Sequence, residues 1–209
     1  MTQLIILGAG GHGAVVAEAA VLSGEWRDVA FRDDSLDMGT IVVGCPVIGN
    51  TSLTEGGIES DCYYFVAFGD NKKRSTVLAL LEECGATIAK ILHPSAVVSP
   101  TAVIGKGTIV CAGAVVNARA IIGSGSIINT SASVDHDCQL GHSVHISPGA
   151  NLAGDVSVGD ESWVGIGASI REGVSIGSNC IVGAGSAVLS DIEPGQTVAG
   201  VPARKIGDG

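Results

Sequence analysis

Apolar positions follow two different regimes along the chain. From residue 97 to residue 192 they recur every six residues with no insertion, giving 16 consecutive hexads: VVSPTA VIGKGT IVCAGA VVNARA IIGSGS IINTSA SVDHDC QLGHSV HISPGA NLAGDV SVGDES WVGIGA SIREGV SIGSNC IVGAGS AVLSDI. The second position is Val, Ile or Leu in every one. In a chain that is 46% apolar, a shuffled sequence meets that condition with a chance on the order of 10⁻⁵. A small residue, mostly Ala, Ser, Cys or Val, sits sixth, and Gly, Asn or Asp recurs near the third. A helix of 3.6 residues per turn cannot hold a strict six-residue repeat on one face, and an up-and-down sheet alternates every two residues over longer strands. The pattern therefore predicts a parallel β-solenoid with three hexads to a triangular coil, about 18 residues per turn and roughly five coils.

Residues 1–92 lack this repeat. QLIILGAGGHGAVVAEAAVLSG reads as an apolar strand, a glycine turn and an Ala-rich helix, and DCYYFVAFGDNKKRSTVLALLEECG repeats that order. Two such units predict a small open α/β sheet of Rossmann-like character. TIAKILHPSA leads into the solenoid, and His93-Pro94 marks the boundary because Pro holds its predecessor extended. The predicted fold is thus an α/β domain over 1–92 followed by a β-solenoid with a tail over 93–209.

Charge narrows the partners. Eleven Lys and Arg against 21 Asp and Glu leave a net charge of −10, which opposes phosphate backbones and anionic membrane surfaces. With 2 Trp, 2 Tyr and 3 Phe the chain also lacks stacking platforms for single strands, so neither nucleic acid nor membrane is expected as a partner. Mean hydropathy is high at +0.45, yet no uninterrupted apolar stretch reaches the roughly 18 residues needed to span a bilayer. MTQLIILGAGGHG has no basic lead and reads as a buried first strand rather than a signal peptide, so a cytoplasmic location is expected. Six cysteines (Cys45, Cys62, Cys84, Cys111, Cys138, Cys180) form no CxxC pair and read as reduced structural thiols.

Two places carry candidate chemistry. Gly8-x-Gly10-x-x-Gly13 follows a strand and opens a helix, so its free amides and the helix dipole suit a diphosphate; Asp33 and Asp34 follow about 20 residues on, where a carboxylate can meet a ribose hydroxyl. A mononucleotide diphosphate, NAD and a purely structural turn all fit this fingerprint, although 92 residues supply only half of the usual dinucleotide sheet. Gly69, Asp70 and Asn71 border the same crevice or simply form a turn. In the repeat, His136 and His142 are fourth in their hexads and His145 is first, so none fills an inward aliphatic slot and all three are expected to be reachable. His136 precedes Asp137 in VDHDC, pairing a base with a carboxylate. Cys138 sits in a small sixth position expected to pack inside, which argues against an acyl-cysteine route.

At GAGGHG, INTSASVDHDC, HISPGANLAGDV and GVPARKI the chain resembles bacterial nucleotide-sugar acetyltransferases of the NeuD/PglD-like group, over nearly its whole length. The resemblance implies a left-handed β-helix, a homotrimer, and transfer from acetyl-CoA to the C4 amine of a nucleotide-linked 4-amino-deoxysugar for surface glycans. It makes His136 the general base, Asp137 its orienting carboxylate and His145 the contact to the thioester carbonyl. Asn129 is implied to touch the sugar or support the base, and Gly10, His12, Asp33 and Asp34 to hold the nucleotide. Gly154, Ile166 and Gly167 are implied to line the acetyl-CoA track, with the tail near the adenine. The gamma-class carbonic anhydrases share the solenoid architecture but space their zinc ligands much further apart than 136, 142 and 145, so no metal is expected. Acetylation of a sugar hydroxyl, as on sialic acid, and a non-catalytic trimeric scaffold that senses a nucleotide-sugar are the alternatives. UDP- and GDP-linked acceptors, GDP-perosamine among them, are not separated by these residues.

Overall fold

A computed structural model describes residues 2–52, 57–59 and 61–207. β1 (Thr2–Leu7), α1 (Gly11–Ser23), β2 (Trp26–Arg32), a short hairpin of β3 (Ile41–Val42) and β4 (Cys45–Pro46), β5 (Cys62–Val66), α2 (Asn71–Glu83) and β6 (Thr87–Ile88) make the first unit. Its sheet is parallel in the order β2-β1-β5-β6. The chain leaves β1 towards β2 on one side and later returns to β5 on the other, so the order reverses between β1 and β5. In open α/β sheets ligands collect in the crevice at that reversal.

The first solenoid strand, Ile91–Leu92, starts three residues after β6 and pairs with Ile109–Val110. From there two-residue strands follow every six residues to Ala187–Val188 and pair in parallel with the strand 18 residues on, forming three sheets, one of which continues into Thr197–Ala199 and an antiparallel Arg204–Lys205. The second hexad positions from Val110 to Val188 point inward and are almost wholly buried, as are the sixth positions from Thr108 to Ile192. Val98, Ala102 and Ile104, in the lowest coil, are only partly buried.

Turn chemistry differs from the sequence expectation. The left-handed residue is the fifth of every hexad but the first and the last, held by Gly at 107, 113, 125, 149, 167, 173 and 185 and by Arg119, Ser131, Asp137, Ser143, Asp155, Glu161 and Asn179 elsewhere. The third position serves another purpose. A Cβ on Gly123 collides with the Gly141 carbonyl of the next coil, and Gly159, Gly165 and Gly177 are equally tight against backbone. Third-position glycine thus permits close coil stacking, while the fifth position tolerates other residues at a local strain cost.

One face of the solenoid is covered by the α/β unit. Ile91, Ile109 and Ile127, the outward residues of successive strands, pack with Val16, Ala17 and Ala20 of α1 and Phe31 of β2 in one buried cluster. α1 is buried against both its own sheet and the solenoid, which is why its apolar residues show no single stripe. α2 contacts the solenoid at Leu78, which lies against Gly107 and Gly125.

Gly123→Ala is expected to destabilise the fold by about 2 kcal/mol or more, seen as a lower thermal midpoint. Gly173→Asn should leave the midpoint within about 2 °C, because open space surrounds that fifth position and Asn179 already adopts φ +57° at an equivalent one.

Candidate active site

Stacking at 18 residues brings Arg119, Asp137, His136 and Gly154 together at one solenoid corner. Arg119 and Asp137 occupy the same left-handed corner position in successive coils, with φ +60° and +61°. Their side chains therefore run alongside each other. Arg119 Nε donates to Asp137 Oδ1 at 2.6 Å and Nη2 to Oδ2 at 2.8 Å. Asp137 Oδ2 also lies 2.8 Å from His136 Nδ1. The His136 amide donates to Asp135 Oδ1 at 2.7 Å, which accepts from Asn117 Nδ2 as well. The Arg119 fork first, and His136 second, hold the Asp137 carboxyl well below the usual carboxylate range, so it is ionised at neutral pH. Beneath the ring lies Gly154, where a Cβ would meet imidazole atoms at 2.5–3.1 Å. With Nδ1 turned to Asp137, Nε2 is the nitrogen left to accept a proton, on a side chain that is 56% exposed.

His145 lies elsewhere. It continues the outward row Ile91, Ile109, Ile127 and is followed by Trp163 and Ile181. Trp163 stacks on its ring with centroids 5.4 Å apart and 9° between planes, and anchors itself by donating from Nε1 to Ser147 Oγ at 2.6 Å. Asn129 Oδ1 accepts from the Thr130 amide at 2.8 Å, which turns its Nδ2 towards His145 Nε2 at 3.1 Å. That assignment makes Nε2 the acceptor and puts the ring proton on Nδ1. Nδ1 is buried without a partner among the described residues. The expectation that every solenoid histidine is reachable thus holds for His136 and His142 and fails for most of His145, because the row it belongs to is capped by the α/β unit and Trp163. Asn129 supports His145, not His136.

The glycine turn and the solenoid meet around Arg74. This guanidinium is 1% exposed, has no carboxylate within salt-bridge distance among the described residues, and donates to five oxygens: Gly125 O (2.6 Å), Phe68 O (2.8 Å), Gly69 O (3.2 Å), Asn71 Oδ1 (2.7 Å) and Ser143 O (3.0 Å). Asn71 Nδ2 adds bonds to Glu161 O and Ser162 O. Asp70 caps α2 through the Lys73 amide. Asp70 and Asn71 are therefore already engaged in holding the helix and the two units. Burial first, and the Arg74 charge second, push His12 down to about 4 and His145 to about 3, with His12 also acting on His145. His12 Nε2, like His145 Nδ1, is buried without a partner among the described residues.

The N-terminus of α1 itself is open. Its cap is Gly10, with no side-chain capping bond, and nothing lies within 4 Å of a Cβ on Gly10 or Gly11. Gly13 is required for a different reason, since its Cβ would strike the Gly8 carbonyl. Asp33 Oδ2 accepts the Ala9 amide at 2.7 Å and Oδ1 binds Ser35, while Asp34 binds Thr51. These bonds hold both carboxyls ionised and use part of their accepting capacity to shape the loop.

Ile166 and Gly167 occupy a different corner from His136 and Gly154, with Ile166 61% exposed. A cleft of about 300 Å³ opens beside α2, lined by Asp70, Asn71, Glu161, Trp163, Asn179 and Ile181. Another, of about 390 Å³, lies by Arg204 and Lys205 of the tail. His142 sits at the third corner and binds Ser124 Oγ at 3.1 Å. Histidines 136, 142 and 145 are thus on separate parts of the prism, and among the described residues no group of three or more His, Cys, Asp or Glu can hold a metal ion. Cys138 is fully buried and its thiol is pushed up by burial. The Arg119 partner was legible only from its position one coil before Asp137, and Arg74 had no signal beyond its place in a helix that reads as solvated.

An α/β unit with an open glycine turn, docked on a hexapeptide solenoid with a His–Asp pair at its corner, defines a bacterial hexapeptide-repeat transferase. Residues 3–81 match the PglD N-terminal domain family and residues 155–190 the bacterial transferase hexapeptide (six repeats) family. The acetyltransferase domain of PglB from Neisseria gonorrhoeae FA1090, solved with acetyl coenzyme A, is 42% identical over 98% of this chain and 99% of that one, with a TM-score of 0.94. A mutant of perosamine N-acetyltransferase from Caulobacter crescentus, in complex with CoA and GDP-perosamine, is 39% identical over 100% of this chain and 98% of that one, with a TM-score of 0.91. UDP-N-acetylbacillosamine N-acetyltransferase of Bacillus subtilis (strain 168) is 40% identical over 115 residues, 54% of this chain, and the match spans 52% of that protein. The chain belongs to the NeuD/PglD-like group of bacterial nucleotide-sugar acetyltransferases.

Above about pH 6.5 His12 and His145 are neutral in folded and unfolded chains alike. As pH falls below that, the unfolded chain takes up protons that the folded protein refuses until about 4 and 3. Their contribution to stability is therefore full above 6.5 and lost as pH falls through this window. Denaturant midpoints are expected to drop between about pH 7.5 and 5, with a shallower drop in a His12→Gln/His145→Gln variant.

Proposed function

We propose that the protein transfers the acetyl group of acetyl-CoA to the C4 amine of a nucleotide-linked 4-amino-deoxysugar, with His136 as general base. The observation that carries this reading is the His136 ring itself: Nδ1 is held by Asp137, Nε2 is open, and Gly154 leaves the corner bare beneath it. The relatives solved with acetyl coenzyme A and with CoA and GDP-perosamine support the two substrates. A sugar amine attacks a thioester as the free base, and the tetrahedral adduct must lose a proton and stabilise an oxyanion. Nε2 of His136 takes the proton, Asp137 stabilises the resulting imidazolium, and the adduct collapses by breaking its C–S bond, with CoA leaving as the thiol on the proton that His136 returns.

His145 supplies a different group. Kept neutral by burial and bonded at Nε2 by Asn129, it does not serve as the base, and its place in this reading is contact with the thioester carbonyl. In one chain the two histidines are on separate parts of the prism, so this reading requires a homotrimer in which the His136 corner of one copy meets the His145 row and the Ile166–Gly167 corner of the next. Acetyl-CoA then lies in the seam. Gly10 and Gly11 at the α1 N-terminus receive the diphosphate, His12 faces the sugar, and Asp33 and Asp34 face the ribose or base. The protein acts in the cytoplasm, where acetyl-CoA is available.

Thiol release from acetyl-CoA with a panel of UDP- and GDP-linked 4-amino-sugars tests the activity and identifies the base. Binding of a nucleotide-sugar, seen as a thermal shift, without thiol release would support a sensing scaffold instead. His136→Ala is expected to lower kcat by about 10²- to 10⁴-fold with a small effect on KM for acetyl-CoA. Near-normal turnover in that variant removes His136 from the reaction.

A further inference from the structure

We infer that Arg119 is a positioning residue of the transfer reaction: by forking onto Asp137 it fixes the carboxylate against His136 and weakens the negative charge that the imidazole meets. The inference rests on His136 being the base. Its geometry is independent of that reading. Both Asp137 oxygens are held by Arg119, at 2.6 and 2.8 Å, and the second is the atom that faces His136 Nδ1. Asp137 is on a corner with a left-handed backbone, its side chain is 38% exposed, and no other side chain besides Arg119 and His136 bonds it among the described residues. Without the fork the bond to His136 Nδ1 is the one side-chain contact left to orient the carboxylate among the described residues.

The charged residues bonded to His136 and Asp137 come from three coils. Its own hexad brings Asp135, bonded to the His136 amide, and Asp137; the preceding coil brings Arg119; the following coil brings Asp155, whose amide donates to the His136 carbonyl. Arg119 is the one cation of this set. Exposed ion pairs contribute little to stability, and the Arg119 side chain is 65% exposed in the single chain, so its removal is expected to leave the fold of the chain intact while acting on the reaction. Charge and fork separate cleanly: Lys preserves the first and loses the second.

Three variants test this, using thiol-release kinetics over pH. Arg119→Gln exposes His136 to the full Asp137 charge, which favours the imidazolium. The acid limb of kcat/KM is expected to move up by roughly half a pH unit, with kcat reduced about 5-fold and KM for acetyl-CoA little changed. Asp137→Asn leaves the Arg119 charge beside the ring and should move the limb down. Arg119→Lys should hold the limb at its parental position while lowering kcat. In an Asp137→Asn background, Arg119→Gln is expected to change kcat by less than about twofold, because the two act as one unit. An unmoved or lowered limb in Arg119→Gln, or its full kcat loss in the Asp137→Asn background, overturns the inference. His136→Ala separates the two levels: if it abolishes turnover and Arg119→Gln has no effect, only the role of Arg119 falls, whereas turnover retained in His136→Ala removes the base and the Arg119 role with it. Should Arg119→Gln fail to assemble, the same cycle run with Arg119→Lys gives the decision.

Discussion

Coil-on-coil stacking at 18 residues is the constraint on which the rest of the molecule depends. Each coil must lie close enough to its neighbour for backbone N–H and C=O groups to pair, and this is why a Cβ on Gly123 or Gly159 meets backbone rather than space. Once the spacing is fixed, equivalent positions of successive coils become spatial neighbours. Asn117 meets Asp135, Arg119 meets Asp137, His136 covers Gly154 and His145 stacks on Trp163 because each pair is one coil apart. The repeat is therefore more than a scaffold: it determines which side chains share a site, and a single inserted residue in a corner shifts every partnership above it.

Joining the α/β unit to this prism takes a different kind of interaction. An outward row of isoleucines supplies area, but non-directional burial alone does not fix how one unit is turned on the other. Arg74 does. Its planar fork reads carbonyls of its own helix turn, of Gly125 and of Ser143 at once, so the bonds form only in one relative orientation. A buried cation bonded solely to neutral oxygens costs desolvation, and burial here lowers the guanidinium pKa to about 10, which leaves it charged at neutral pH. That charge then reaches His12 and His145, one from each unit, so the residue that sets the docking geometry also sets the electrostatics of the ground between them.

Much of the fold was legible in the sequence because the hexad is a physical period. Inward second positions and small sixth positions emerged from the pattern as they lie in the structure. The left-handed fifth position did not, since it tolerates Arg, Glu, Asp, Ser and Asn as well as Gly and so leaves no compositional mark. For the site, the His136–Asp137 pair was readable as neighbours in sequence, and the Arg119 contact follows once the coil length is applied to a charged corner residue. The enclosure of His145 was not readable: first positions face outward, and only the docking of a separate unit turns an outward residue into a buried one. Arg74 lies in NKKRSTVLALLEE, where three consecutive basic residues look solvated, and nothing local distinguishes the one that is buried.

Burial also divides the labour between two chemically identical side chains. An imidazole that stays neutral down to about pH 3 is a poor proton acceptor, since the charged form it must reach is the one that burial and the Arg74 charge oppose. What it retains is a fixed N–H, oriented by the Asn129 amide and by the indole face of Trp163. His136 has the opposite surroundings, exposed at a corner with an ionised carboxylate 2.8 Å from Nδ1. Exchanging their surroundings would exchange their chemistry. The different roles proposed for the two rings thus rest on where the prism and the α/β unit leave each of them, and not on any property of histidine that distinguishes position 136 from position 145.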